Sequence, residues 1–221
     1  MHVLELPLRN GLAALQLDLS DAQVTQLLAY QDLIQKWTKV YNLTAVRDPA
    51  DMLTHHLLDS LAAVGPLLHQ VAELKERGIA PARRLLDVGS GAGLPGIVFA
   101  ICAPDITVDC VDTVAKKAAF IQQVAATLRL PNLAGIHARV ESLTERYGVL
   151  SSRAFASLPD FVAGSSAALA EGGVWMALKG KRPVAEIEAL PDAVSVFHVE
   201  PLIVPGLDAE RCIVWMARRQ A

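Results

Sequence analysis

Asp87-Val-Gly89-Ser-Gly91-Ala-Gly93-Leu-Pro-Gly96 decides how this chain reads. The stretch follows Arg84-Leu-Leu-Asp-Val88, a short apolar run with the character of a strand, and leads into a helical pattern near residues 94–102. Glycines between a strand and a helix allow a tight turn and let bare backbone approach a ligand closely.

Outward from this loop the pattern alternates. Residues 106–112 read as a second strand, 114–130 as a helix that stops before Pro131, and 133–138 as a third strand. A fourth strand is expected over 150–156, a helix over 159–170, and a fifth strand over 174–178 after the turn residues Gly172-Gly173. The last two strands, 194–199 and 213–217, flank the turn formers Pro205-Gly206-Leu207-Asp208 and read as antiparallel. The expected fold is therefore α/β, a seven-stranded, mostly parallel sheet with helices on both faces. Its ligand should lie at the carboxyl ends of the strands, near the topological switch point. Upstream the chain is helical. Ser20 and Gln23 have capping-box spacing at the start of a helix over 20–41, and Val24, Leu27, Leu28, Ile34, Trp37 and Tyr41 give it one apolar stripe. Asp48 and Pro49 open a second helix that runs to about residue 64. We expect residues 1–80 to form an N-terminal helical extension and 81–221 the ligand-binding domain, in one compact unit.

Three readings of the glycine loop compete. Gly91-Ala-Gly93-Leu-Pro-Gly96 satisfies the dinucleotide pattern GxGxxG, and Asp87-x-Gly89-x-Gly91-x-Gly93 fits the acidic-x-Gly-x-Gly-x-Gly loop of class I methyltransferases. The third is a structural turn without a ligand. Register favours the methyltransferase reading. A dinucleotide-binding strand runs directly into the first glycine of its motif, whereas here Gly89 is the first loop residue and Gly91 comes late. An acid at the strand end suits a cationic sulfonium ligand with an ammonium group and repels a pyrophosphate. Asp112, at the end of the second strand, can accept hydrogen bonds from ribose hydroxyls in either nucleotide reading. Val140 and Glu141, past the third strand, stand where an adenine edge would be read. Arg153 is a charge at the carboxyl end of an otherwise apolar strand, which points to a site more than to a surface.

Composition bounds the rest. Of 221 residues, 52% are apolar and 19% charged, which excludes a disordered chain. No run reaches the ~18 apolar residues that a membrane helix requires, and the opening MHVLELPLRNGL has no basic signal-peptide region. A cytoplasmic location without a membrane role is expected. Cys102, Cys110 and Cys212 are odd in number and lack CxxC spacing, so buried thiols are expected in place of disulfides or a metal site. The net charge of −3 argues mildly against nucleic acid and keeps a protein or small-molecule acceptor open.

The segments Trp37-x-x-x-Tyr41-Asn-Leu-Thr, Arg47-Asp-Pro, His56-Leu-Leu-Asp59-Ser60, the glycine loop, Arg139-Val-Glu141, Ser152-Arg-Ala-Phe-Ala-Ser157 and Ala177-Leu-Lys-Gly180 resemble the bacterial ribosomal small-subunit methyltransferase G family, in order and over nearly the whole chain. The resemblance implies a Rossmann-like class I methyltransferase. It would use S-adenosylmethionine, release S-adenosylhomocysteine, and act on N7 of a guanine in the 530 loop of 16S ribosomal RNA. It also implies Gly89 and Leu94 on the methionine side of the cofactor, Val140 and Glu141 at the adenine, and Arg153 beside the cofactor or the target base. The nearest rival is a nicotinamide oxidoreductase. Another is a nucleotide-binding regulatory module without catalysis.

The chain contains no Pro-Cys pair for pyrimidine C5 chemistry and no (Asp/Asn)-Pro-Pro-(Tyr/Phe) motif for an exocyclic amine. Guanine N7 carries a free lone pair and needs neither. The cofactor set is thus Gly89, Gly91, Gly93, Leu94, Asp112, Val140, Glu141 and Arg153, with Arg153 also the candidate catalytic residue. RNA contacts are expected from Arg47, His56, Lys116, Lys117 and Lys179, with Lys36 and Lys39 as further candidates. Trp37 and Tyr41 read as core in preference to base-stacking platforms. No metal is expected, and a monomer is.

Overall fold

A computed structural model describes residues 2–154 and 156–219. Phe155, part of the Arg153-Ala-Phe-Ala-Ser157 motif, lies outside the described residues.

The N-terminal part is helical: α1 (Glu5–Ala14), α2 (Asp21–Tyr41), α3 (Pro49–Met52), a π-helical turn over Leu53–Leu58, α4 (Asp59–Leu61) and α5 (Val64–Glu76). The α/β part follows as β1 (Arg84–Val88), α6 (Gly96–Cys102), β2 (Thr107–Asp112), α7 (Ala115–Leu128), β3 (Leu133–His137), β4 (Tyr147–Arg153), α8 (Leu158–Ser165), β5 (Leu169–Lys179), α9 (Val184–Glu188), β6 (Val194–Leu202) and β7 (Arg211–Arg218).

The seven strands form one sheet in the order β3-β2-β1-β4-β5-β7-β6. The first five are parallel, β7 runs antiparallel to β5, and β6 pairs antiparallel with β7, as the turn formers at 205–208 require. Strand order reverses between β1 and β4, and a parallel α/β sheet opens a crevice for a ligand at that point.

Period-2 alternation sends successive side chains to opposite faces. Leu85, Val108, Cys110, Val149, Met176 and Trp215 meet α6, α7 and the N-terminal helices on one face. Leu86, Val88, Val111, Leu150, Trp175 and Met216 meet α8 on the other. Leu27, Tyr30 and Ile34 of α2 are fully buried. Each such side chain contributes about 1.5–3 kcal/mol by removal from water, so the front helices are part of the same core and not an appendage.

Several expected boundaries hold. Ser20 and Gln23 form the capping box, and Asp48 accepts the Ala50 and Asp51 amides with Pro49 at the first helical position. Other expectations need correction. The second helix does not run on to residue 64. It passes through the π-helical turn, ends at Leu61, and α5 begins at Val64. The fourth strand is displaced, spanning Tyr147–Arg153: it cannot run on to residue 156 because Ala154 and Ala156 take φ of +53° and +43°, and at its start the buried Tyr147 hydroxyl donates to Asp109 at 2.8 Å. Gly172-Gly173 is not a turn before the fifth strand but lies inside β5, next to a register shift between β4 and β5. Gly173 has no room for a Cβ, which would come within 2.9 Å of the Gly148 carbonyl. Cys110 and Cys212 are buried free thiols, and Cys102 is half-buried. No helix among the described residues is long and apolar enough to cross a membrane.

Candidate active site

A cavity of about 620 Å³ opens at the carboxyl ends of β1, β4 and β5, over the switch point. That size suits a nucleoside-bearing small molecule. Gly89, Gly91 and Leu94 form one wall, Arg153 and Lys179 a second, and His56 and Asp59 a third.

The glycine wall is shaped by backbone conformation. Gly89, Gly91 and Gly93 have φ of +67°, +58° and +84°, values glycine adopts freely. Their roles divide. At Gly91 the nearest atom to an added Cβ is the Gly89 carbonyl oxygen at 4.0 Å, so bare backbone faces open space. At Gly93 a Cβ would overlap the Ile97 side chain, so this glycine serves packing and does not line the cavity. Two buried groups brace the loop from behind. Tyr30 on α2 donates its hydroxyl to the Ala92 carbonyl at 2.7 Å. Asp112 accepts the Gly91 amide at 3.0 Å and the Val114 amide at 2.9 Å, and Lys117 approaches it at 3.5 Å. Asp112 therefore stands directly under the loop and does not itself line the cavity.

Asp87 corrects another expectation. Its carboxylate is not presented to a cationic ligand. It is fully buried, accepts the Ser151 hydroxyl at 2.8 Å and the Gly96 amide at 3.2 Å, and so pins the start of α6 to β1. Burial pushes its pKa up to about 7. The bonds from Ser151 and Gly96 and the Arg153 charge oppose the rise. The unfolded carboxyl titrates near 3.8, so between about pH 4 and pH 7 the folded state binds more protons than the unfolded state. Stability should then fall as pH rises through that window and level off above it. Asp87→Asn should flatten that part of the Tm–pH profile. Superimposable profiles for the two proteins would show that Asp87 does not titrate there.

The opposite walls meet in an ion cluster. Asp59, 6% exposed, accepts Arg153 through Oδ2 at 2.8 Å and Arg211 through Oδ1 at 2.7 Å. Arg153 also donates to the His55 carbonyl at 3.1 Å. These partners sit where the π-helical turn passes into α4, and such turns recur at functional sites. His56 is buried, with Nε2 2.7 Å from the Thr44 hydroxyl and Nδ1 unpartnered. Burial lowers its pKa, so the neutral ring is favoured. Lys179 donates to the Ala156 carbonyl at 3.2 Å and to Glu186 at 2.8 Å.

The fold thus brings Gly89, Gly91, Leu94, His56, Lys117, Arg153 and Lys179 to one cavity. Val140 is buried in the core beside α8, and Glu141 is exposed next to Arg139; neither lines the cavity. Arg47 holds the carboxyl end of α2 through the Thr38 carbonyl and the Asn42 side chain. Lys116 lies over the exposed Tyr41 ring, away from the cavity. Lys36 and Lys39 are exposed on α2 and do not line it either. Trp37 packs against Phe120 and the main core, whereas Tyr41 stays 42% exposed, so the core reading holds for the first and not for the second. The partners missed in sequence are Arg211 and Tyr30. Arg211 stands 152 residues from Asp59, and no local signal joins them. Tyr30 lies within the α2 pattern, but its polar end gives no hint of the loop it holds.

The family described as rRNA small subunit methyltransferase G matches residues 23–214. Ribosomal RNA small subunit methyltransferase G of Polaromonas sp. (strain JS666) is 65% identical over 217 residues, covering 98% of this chain and 95% of that protein. Its counterpart in Acidovorax sp. (strain JS42) is 67% identical over 210 residues, covering 95% and 93%. Among solved structures, magnesium protoporphyrin IX methyltransferase from Synechocystis PCC 6803 with bound SAM aligns with a TM-score of 0.54 at 14% identity, covering 88% of this chain and 97% of that one. A SAM-dependent methyltransferase from Aquifex aeolicus aligns with a TM-score of 0.50 at 14% identity, covering 76% and 98%. At such identities the likeness concerns the fold, which is that of the class I methyltransferases.

Proposed function

The chain belongs to the rRNA small subunit methyltransferase G family, and from that premise we propose that it transfers a methyl group from S-adenosylmethionine to small-subunit ribosomal RNA, at N7 of a guanine in the 530 loop. The observation that carries this reading is the cavity at the switch point. Bare glycine backbone forms one side of it and an arginine pair the other.

S-adenosylmethionine supplies an electrophilic methyl group on a sulfonium. The residues to hold it are Gly89, Gly91 and Leu94 in the wall, with Asp112 bracing the loop beneath. Val140 and Glu141 remain candidates for the adenine side. The acceptor nitrogen has a lone pair at neutral pH, so the chain need not remove a proton before attack. The cavity agrees with this. Asp59 is the one carboxylate among its described lining residues, and both of its oxygens are held by guanidiniums. The work left to the protein is orientation and exclusion of water, which supplies about 7 kcal/mol or more when reacting atoms are held in line. Arg153 would position the cofactor or the target base, and its two bonds, to the His55 carbonyl and to Asp59, support that role by fixing the guanidinium.

The test uses methyl-labelled S-adenosylmethionine and small ribosomal subunits from cells lacking the endogenous enzyme. Label located by nuclease digestion and mass spectrometry should appear as N7-methylguanine in the 530 loop. Failure to label these subunits, with S-adenosylhomocysteine binding intact, would overturn the acceptor and keep the cofactor reading.

A further inference from the structure

The active-site cavity does not close at its β5–β7 side. A second groove, of about 400 Å³, shares Gly180, Leu202, Arg211 and Cys212 with it and continues past them. The shared residues sit where the end of β5 meets the start of β7, with Lys179 opposite Cys212, and where β6 ends at Leu202. Beyond this junction the groove is lined by Lys181 and Arg182 on one side and by the apolar Val199 and Pro201 of β6 on the other.

The two cations are of a different kind from their neighbours. Arg211 is engaged by Asp59, and Lys179 by Glu186. Lys181 and Arg182 are exposed, and among the described residues neither has a carboxylate within 4.0 Å. Glu210 also lines the groove and is its one acidic side chain. The field of Arg182 and Lys179 is felt at the Cys212 thiol, where both oppose the rise in its pKa from burial and from Glu210. Uncommitted positive charge therefore flanks the exit of the cavity in a chain whose net charge is −3.

A target base inside the cavity leaves its backbone at the mouth, so the neighbouring phosphates must run out along the surface. Cations contribute to such a path without reading sequence, and an apolar strip opposite them accepts a sugar or a base face. The geometry points to this groove as the binding track for the ribosomal RNA strand flanking the target nucleotide, with Lys181 and Arg182 contacting its phosphates. The inference rests on the RNA methyltransferase reading and adds to it the direction in which the strand leaves the site.

The experiment compares wild type with the double variant Lys181→Glu, Arg182→Glu, and with Lys75→Glu, an exposed lysine on α5 away from the groove. Methyl transfer to small subunits is measured at several salt concentrations, and S-adenosylhomocysteine affinity by calorimetry. The double variant should raise KM for the subunit about tenfold and reduce the salt slope of binding by about two, one for each lost phosphate contact. The kcat and the S-adenosylhomocysteine affinity should stay unchanged, and Lys75→Glu should match wild type. Unchanged KM and salt slope in the double variant would overturn the track and leave the methyl-transfer reading standing. Absence of transfer by the wild type itself would overturn both.

Discussion

Asp59→Ala is expected to lower methyl transfer by about 100-fold and to destabilise the fold by about 2–4 kcal/mol. The reason is that one buried carboxylate serves two guanidiniums. Breaking a buried ion pair by removing one partner costs about 3–5 kcal/mol, because a charge is left without compensation. Here the arginine side chains keep 19% and 25% of their surface in contact with solvent, so water takes up part of that loss. The effect on turnover has a different origin. Without Asp59, Arg153 keeps only the His55 carbonyl, and Arg153 and Arg211 repel one another across the cavity. A displacement of about 1 Å in a positioning group costs on the order of 100-fold in rate. Asp59→Asn should fall between the two proteins, since an amide keeps the volume and one acceptor. The double variant Asp59→Ala, Arg211→Ala should melt higher than Asp59→Ala alone, because it removes one of the two stranded charges. Thermal unfolding and single-turnover transfer check all three. Wild-type turnover in Asp59→Ala would remove the carboxylate from any positioning role.

Where local chemistry decides conformation, the sequence was legible. The expected start of α2 needed only Ser20 and Gln23. The edges of β1, β2 and β3 needed only short apolar runs with breakers beside them. Where distant contacts decide, it was not. The α5 helix opens Val64-Gly-Pro, a sequence that looks like a stop, yet Pro66 falls in the first turn, where proline costs little. Gly172-Gly173 has turn chemistry, and Gly172 takes φ of +72°, but Gly148 of β4 packs so closely on Gly173 that the pair is held as an irregularity inside β5, where the register shifts. The π-helical turn beneath the ion cluster has no sequence signature.

The site divides in the same way. Gly89, Gly91 and Leu94 were readable because a strand, a glycine loop and a helix occupy consecutive positions. Arg153 was readable as a charge in an apolar strand. Its partner Asp59 stood in view as a helix neighbour of His56, and nothing in sequence links it to residues 94 and 152 positions away. Asp87 was misjudged for a simple reason. A strand-end acid is expected to face the ligand, but Asp87 shares its face of β1 with Leu85 and points at the first amide of α6.

That inward direction gives Gly96 a role beyond loop flexibility. Its N–H donates to Asp87, and a Cβ at this position would overlap the Cys110 sulfur and come within 3.0 Å of both Cβ and Oδ2 of Asp87. All three residues are buried, so the crowding cannot be relieved into solvent. Gly96→Ala should therefore destabilise the protein by about 1–3 kcal/mol, the usual cost of overpacking a filled core. It should also weaken S-adenosylhomocysteine binding, because α6 must retreat from β1 and carry the Gly89–Gly93 loop with it. Adding Cys110→Ala removes the worst overlap and leaves the 3.0 Å contacts with Asp87, so the double variant should recover part of the lost stability and part of the affinity. Chemical denaturation and calorimetry on the four proteins give both quantities. If Cys110→Ala and Gly96→Ala simply add, the sulfur is not what holds α6 at its distance. The requirement at position 96 then lies with the Asp87 side chain alone, whose Cβ and Oδ2 both stand 3.0 Å from the added methyl.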